Sequence, residues 1–126
     1  MRVTREQIVK GVADYIENDV IPQMKEDRAI QIILDVAVKS VRANTKLTNM
    51  VFENKTVKAF LECGEDGTYE IGEVFDRMAD GVRKFGPFPV VIPPVPLISP
   101  TEKTLSFTEG DITEIKRRIE RSADNG

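Results

Sequence analysis

The chain has 126 residues, 18 Lys plus Arg against 21 Asp plus Glu, a net charge of −3 and no His. Without His there is no His-dependent triad, no His-based zinc site and no imidazole switch. One Cys excludes an internal disulfide and Cys-rich metal sites and suits a reducing compartment, and the lack of Trp together with the acidic balance gives nucleic acid neither a stacking platform nor a general attraction.

An apolar fraction of 40% and a charged fraction of 31% describe a folded chain of one domain, residues 1–126. Met1, Arg2 and Arg5 lead directly into an amphipathic pattern, so no signal peptide is expected. Thr4-Arg5-Glu6-Gln7 has capping-box spacing and predicts a helix start. Ile8, Val9, Val12, Ala13, Ile16 and Val20 then recur at helical spacing, with Glu6, Lys10, Asp14, Glu17 and Asn18 on the other side. Gly11 inside this helix predicts a close approach of a second helix, and Pro22 ends or kinks it.

A second helix is predicted from Asp27 to Ala43. It is apolar over most of its circumference and leaves only Arg28, Gln31, Asp35, Lys39 and Arg42 as a polar stripe. Such a helix is buried on several sides, which places it at the centre of the fold; an oligomer interface leaves the same pattern. Leu47, Met50 and Val51 mark a shorter helix with Thr45 or Thr48 as its cap, and Val57, Phe60 and Leu61 mark another. Gly64-Glu65-Asp66-Gly67 breaks the pattern before a short strand at Thr68–Ile71. Ile71, Phe75, Met78, Val82 and Phe85 form a helical stripe that Gly86-Pro87 stops.

Residues 86–101 hold six of the seven prolines and no charge. The segment is too short and too Pro-rich to span a bilayer, and its prolines predict an extended, polyproline-II-like arm that pairs poorly in a central sheet. It carries Phe88, Val90, Val91, Ile92, Val95, Leu97 and Ile98, an apolar content that a solvated linker does not need. Two readings follow: a strap over the chain's own helices, or an arm that docks on a neighbouring subunit or a partner protein. Pro93 and Pro96 give P-x-x-P spacing, but no basic residue lies close by to make an SH3 ligand. Lys103–Phe107 reads as a strand that pairs with Thr68–Ile71. Thr108 with Asp111 caps a last helix whose narrow stripe, Ile112, Ile115 and Ile119, places it on the surface; Ser122–Gly126 is expected to fray.

Three chemical candidates stand out. Glu62, Asp66 and Glu73 fall at calcium-loop positions one, five and twelve with Gly67 at six, but Gly64 at position three offers no oxygen, so the alternative is an acidic turn. Lys116, Arg117, Arg118 and Arg121 could form a basic recognition helix; with Glu109, Asp111 and Glu114 ahead of them, they equally suit the helix dipole. Cys63 lies between Glu62 and Gly64-Glu65 with no His in the chain to activate it, and no Gly-rich phosphate loop is present. No catalytic residue, enzyme activity or cofactor is therefore expected.

Val3-Thr4-Arg5-Glu6-Gln7-Ile8-Val9, Val12-Ala13-Asp14-Tyr15-Ile16 and Val20-Ile21-Pro22 resemble a small uncharacterised protein type encoded in prophages of Gram-positive (Firmicutes) gut bacteria. Phe88-Pro89-Val90 through Pro93 to Ser99-Pro100, followed by Thr104-Leu105-Ser106-Phe107, is similar to the same type. The resemblance covers nearly the whole chain and assigns no activity or functional residue. It implies a bacterial cytoplasm during phage assembly, or a virion, and a protein that oligomerises or joins one.

The expected fold is mainly α with a small β element (α+β). It has about five helices around a buried central helix in 4–85, an extended arm at 86–101, and a strand plus helix at 103–122. The expected function is non-enzymatic, structural or in assembly, through contacts with a protein partner or a second copy. The alternatives are a nucleic-acid module on the last helix and a cation module at 62–73.

Overall fold

The computed structural model of the chain describes residues 1–125. In chain order these form β1 (Arg2–Val3), α1 (Arg5–Tyr15), a π-helical turn (Ile16–Val20), α2 (Ile21–Gln23), α3 (Arg28–Ala43), α4 (Thr45–Phe52) and α5 (Lys55–Phe60). There follow β2 (Tyr69–Glu70), α6 (Gly72–Phe85), β3 (Phe88–Ile92), β4 (Lys103–Phe107) and α7 (Glu109–Asn125). The α+β class with a small β component is the one expected.

Local chemistry sets the helix ends. The Gln7 amide N–H donates to Thr4 Oγ1 at 3.2 Å and the Thr4 N–H donates to Gln7 Oε1 at 2.8 Å, a complete capping box. Asp27 accepts from the Ile30 N–H at 3.1 Å and starts α3. Asn44, rather than Thr45 or Thr48, caps α4: its Oδ1 accepts from the Leu47 N–H at 3.1 Å, because the chain leaves α3 at this residue in an extended conformation. Pro22 lies just past the π-helical turn. A proline cannot donate to the ladder and crowds the carbonyl one turn back, and the wider turn accommodates both effects. Gly86 ends α6 at φ +96°, where its N–H still donates to the Val82 carbonyl at 2.9 Å.

Two apolar cores share α1. In one, Ile8 packs with Val3, Phe52, Tyr69, Ile71, Phe75, Ala79, Ile112 and Ile119. In the other, Tyr15 packs with Val20, Ile30, Leu34, Ile92 and Leu105, and Ile115 borders both. The helix at the centre is thus not α3. Only Ile30, Leu34 and Val38 of α3 are buried, and Ile32 and Val36 face solvent. The centre is α1 against α7, and α7 is not a surface helix, since Ile119 is fully buried and Ile112 nearly so. A narrow stripe suffices there because Gly11 admits it. A Cβ on Gly11 would lie 2.6 Å from Ile119 Cγ1 and 2.7 Å from its Cα and N. The C-terminal end is not frayed, as α7 runs through Asn125 with Ser122 buried; Gly126 lies outside the described residues.

The strands pair differently from the expectation. Thr68–Ile71 does not meet Lys103–Phe107. Instead β2 pairs antiparallel with β1 (Val3 with Tyr69), and β4 pairs antiparallel with β3 (Val90 with Leu105, Ile92 with Lys103). The start of the Pro-rich arm is therefore a hairpin strand. Pro89 fits opposite Ser106 because a two-stranded ribbon has two edges, and a residue whose N–H would point outward loses no ladder bond.

Candidate interaction surface

The hairpin has two unlike faces, as the alternation of a strand requires. Ile92 and Leu105 point inward and are buried against Tyr15, Ile30 and Leu34. Lys103 Nζ pairs with Asp27 Oδ2 at 3.2 Å and ties β4 to the start of α3. Val91 points the other way and is exposed. Of the seven apolar arm residues, Ile92 is a core residue and not an interaction residue. Phe88, Val90, Leu97 and Ile98 are exposed and Val95 is intermediate. The arm is thus anchored to its own chain at Ile92 and Ser99 and uncovered on either side of Ile92.

The tip is built around a tight turn. The Ile98 N–H donates to the Val95 carbonyl at 3.2 Å, and Val95 and Ser99 exchange two backbone bonds at 2.7 and 2.8 Å. Pro96 presets the second position of the turn, and Leu97 at the third has φ +71°. That position favours Gly, and a residue with a Cβ there costs about 1–2 kcal/mol. Leu97 touches nothing and has its whole side chain in water, with 104% relative exposure.

The apolar surface continues onto α6. The sequence stripe makes Phe85 a core residue, but the helix outruns the core and leaves it 82% exposed, with Lys84 Nζ 5.3 Å from its ring centre. Between α5, α6 and the start of β3 lies an open cavity of about 440 Å³. Ala59, Met78, Gly81, Phe85 and Phe88 are among its lining residues. A second open cleft, about 370 Å³, separates α1 from α3 and α4; Thr48 is its one polar lining residue, and the Thr48 hydroxyl lies 3.4 Å from the Val41 and Asn44 carbonyls.

The other sequence candidates resolve differently. Asp66 Oδ1 accepts from the Thr68 N–H at 3.1 Å and from its hydroxyl at 2.6 Å, with Arg2 3.8 Å away. The Thr68 hydroxyl and backbone N–H, aided by Arg2, hold this carboxyl below its ordinary range. Glu62, Asp66 and Glu73 do not converge, and no group of three potential ligands forms among the described residues, so the calcium-loop reading is withdrawn in favour of the acidic turn. On α7, Arg118 grips both oxygens of Asp19 at 2.9 and 3.0 Å and Glu114 at 3.0 Å. Arg117 also pairs with Glu114, and Lys116 lies 3.6 Å from Asp76. Lys116 and Arg118 tie α7 to the rest of the fold, and Arg117 first and then, against burial, Arg118 hold Glu114 down at about 2. Arg121 lines a small polar cleft with Lys10 and Asp14. Cys63 is exposed.

Sequence reasoning missed several placed residues. Tyr15 donates its hydroxyl to Asp111, the residue that also caps α7 by accepting from the Thr108 N–H at 2.7 Å. Burial, then the bond to Asp111, raises the Tyr15 pKa; burial works against Asp111, and its Tyr15 and Thr108 bonds more than offset that and lower it. Arg5 joins three elements through Tyr69 Oη (2.8 Å), Asn49 (3.2 Å) and Glu53 (2.8 Å). Gly81 was open to the argument used for Gly11, since both are helix-interior glycines.

No protein-family model matches the chain, and neither a curated protein nor a solved structure matches it. Among the described residues, no helix is long and apolar enough to cross a membrane.

Proposed function

We propose that this chain is a non-enzymatic structural or assembly protein that acts through protein–protein contacts, with a protein partner or a second copy of itself on its uncovered apolar residues. One observation carries the reading: Phe85 and Phe88 stand uncovered around one cavity, and Val91, Leu97 and Ile98 are uncovered further along the arm. Single exposed apolar residues are ordinary, but this many large ones within fourteen residues mark a contact surface. A left-handed leucine at the tip adds a local cost that a solvent-facing turn could avoid with glycine. The setting is the one the sequence resemblance implies, a phage product in a bacterial cytoplasm or on a virion.

The test is solution mass by size-exclusion chromatography with light scattering, over a wide range of concentration. The wild-type chain should form a discrete oligomer. The Val91→Asp/Leu97→Asp variant should weaken it at unchanged helical circular dichroism, since both side chains already face water. A monomer at every concentration would remove self-assembly from the proposal.

A further inference from the structure

Resting on the assembly reading, and naming its partner, we propose that a second copy of this chain packs α6 against α6 about a two-fold axis, antiparallel and centred on Gly81.

The first support is the glycine itself. Glycine disfavours a helix interior relative to alanine and is retained where a backbone comes close. At Gly11 that backbone is present, since Ile119 sits where a Cβ would go. At Gly81 nothing lies within 4 Å of a Cβ position. The chain holds the conformational cost of a close approach without the element that approaches.

The second support is the seam around it. Val74, Met78, Gly81 and Phe85 recur at spacings of four, three and four, so they share one face of α6. Val74 is buried, Met78 and Gly81 are intermediate and Phe85 is exposed, so the seam runs out of the core into water. A strip with this period is what two packed helices share.

The third support is self-complementarity. A two-fold interface uses one surface twice, so projection and recess must lie on the same face. Here Phe85 and Phe88 project beside the roughly 440 Å³ cavity that Gly81 helps to line. An antiparallel crossing at Gly81 sets Arg77 of one copy, one turn before the crossing, beside Phe85 of the other, one turn after it. On α6, Asp76 pairs with Lys116 and Asp80 with Arg83, while Glu73, one turn before Arg77, makes no ion pair with it. Its guanidinium is left without a carboxylate partner among the described residues, and an aromatic face suits it.

Two aromatic side chains supply a large part of the contact area. At 82% and 49% exposure, Phe85 and Phe88 leave on the order of 250 Å² of aromatic surface uncovered. That is nearly a third of the ~800 Å² each partner gives to a standard interface. Arg77, Pro87 and Pro89, all exposed, extend the same surface.

The experiment combines a positive and a negative readout. In a Cys63→Ser background, Gly81→Cys should form a disulfide-linked dimer with oxidised glutathione, because such a bond needs Cα atoms within roughly 7 Å of each other. Glu73→Cys, far from the crossing, should not. Gly81→Gln and Phe85→Glu should each weaken the dimer at least tenfold by light scattering, at unchanged helical circular dichroism. If the oligomer survives both substitutions and yields only to Val91→Asp/Leu97→Asp, the α6 contact is wrong and the assembly reading stands. If the wild-type chain stays monomeric at every concentration, the α6 contact falls and self-assembly falls with it.

Discussion

The crossing of α1 with α7 and the outer face of α6 start from the same sequence signal and end differently. Each helix carries an interior glycine beside apolar residues at helical spacing. Over Gly11 the backbone of Ile119 fills the space, and Ile119 is fully buried. Over Gly81 the space is empty, and the neighbouring Phe85 stands in water. A glycine in a helix thus announces room for a close neighbour, and only the tertiary arrangement says whether that neighbour belongs to the same chain.

Substitutions on the filled side should have the largest effects. Ile119→Ala removes a fully buried side chain at the crossing and should destabilise the chain by about 3–4 kcal/mol in urea unfolding. Gly11→Ala should cost about 2 kcal/mol, although alanine is the better helix former by about 1 kcal/mol, because the new methyl meets Ile119 backbone atoms that cannot swing aside. A gain in stability from Gly11→Ala would show that α1 and α7 do not cross there.

Acid should loosen the same crossing by a smaller amount. Asp111 and Glu114 on α7 are both held below their ordinary values, Glu114 from 4.5 to about 2. Folded values below unfolded ones mean that their contribution is present above the unfolded pKa and is lost as pH falls through the folded one. The thermal midpoint should therefore drop between about pH 5 and pH 2, and Glu114→Gln should lower it at neutral pH while flattening that slope. Tyr15 acts at the other end: its raised pKa makes a contribution that is full below pH 10 and lost above it.

The open side should give the smallest effect, of opposite sign. Gly81→Ala should stabilise the monomer by up to about 1 kcal/mol, measured at a concentration too low for association. A destabilisation would mean that something within the chain already occupies the cavity, and the contrast with Gly11 would disappear.

Much of the fold was legible residue by residue. Thr4 with Gln7, Asp27, Thr108 with Asp111, and Gly86 mark helix ends as their chemistry predicts. The candidate surface was half legible. Proline content and apolar side chains singled out the arm, but not that Ile92 turns inward while Val91 faces out. That alternation depends on a register with β4 that no local pattern records. Phe85 was misplaced for a related reason: a stripe gives the direction of a side chain, not where the core beneath it stops.

What the sequence determined by itself is therefore local: where helices begin and end, where the chain must turn, and which residues need a close neighbour. These depend on φ, ψ and hydrogen bonds between residues a few positions apart. The tertiary structure alone decided that α1 and α7 form the centre instead of α3, that β1 meets β2 and β3 meets β4, and that Gly11 is covered while Gly81 is open. Those outcomes join residues far apart in the chain. They are fixed by which apolar faces can be buried together at once, a sum over the whole molecule that no single segment contains.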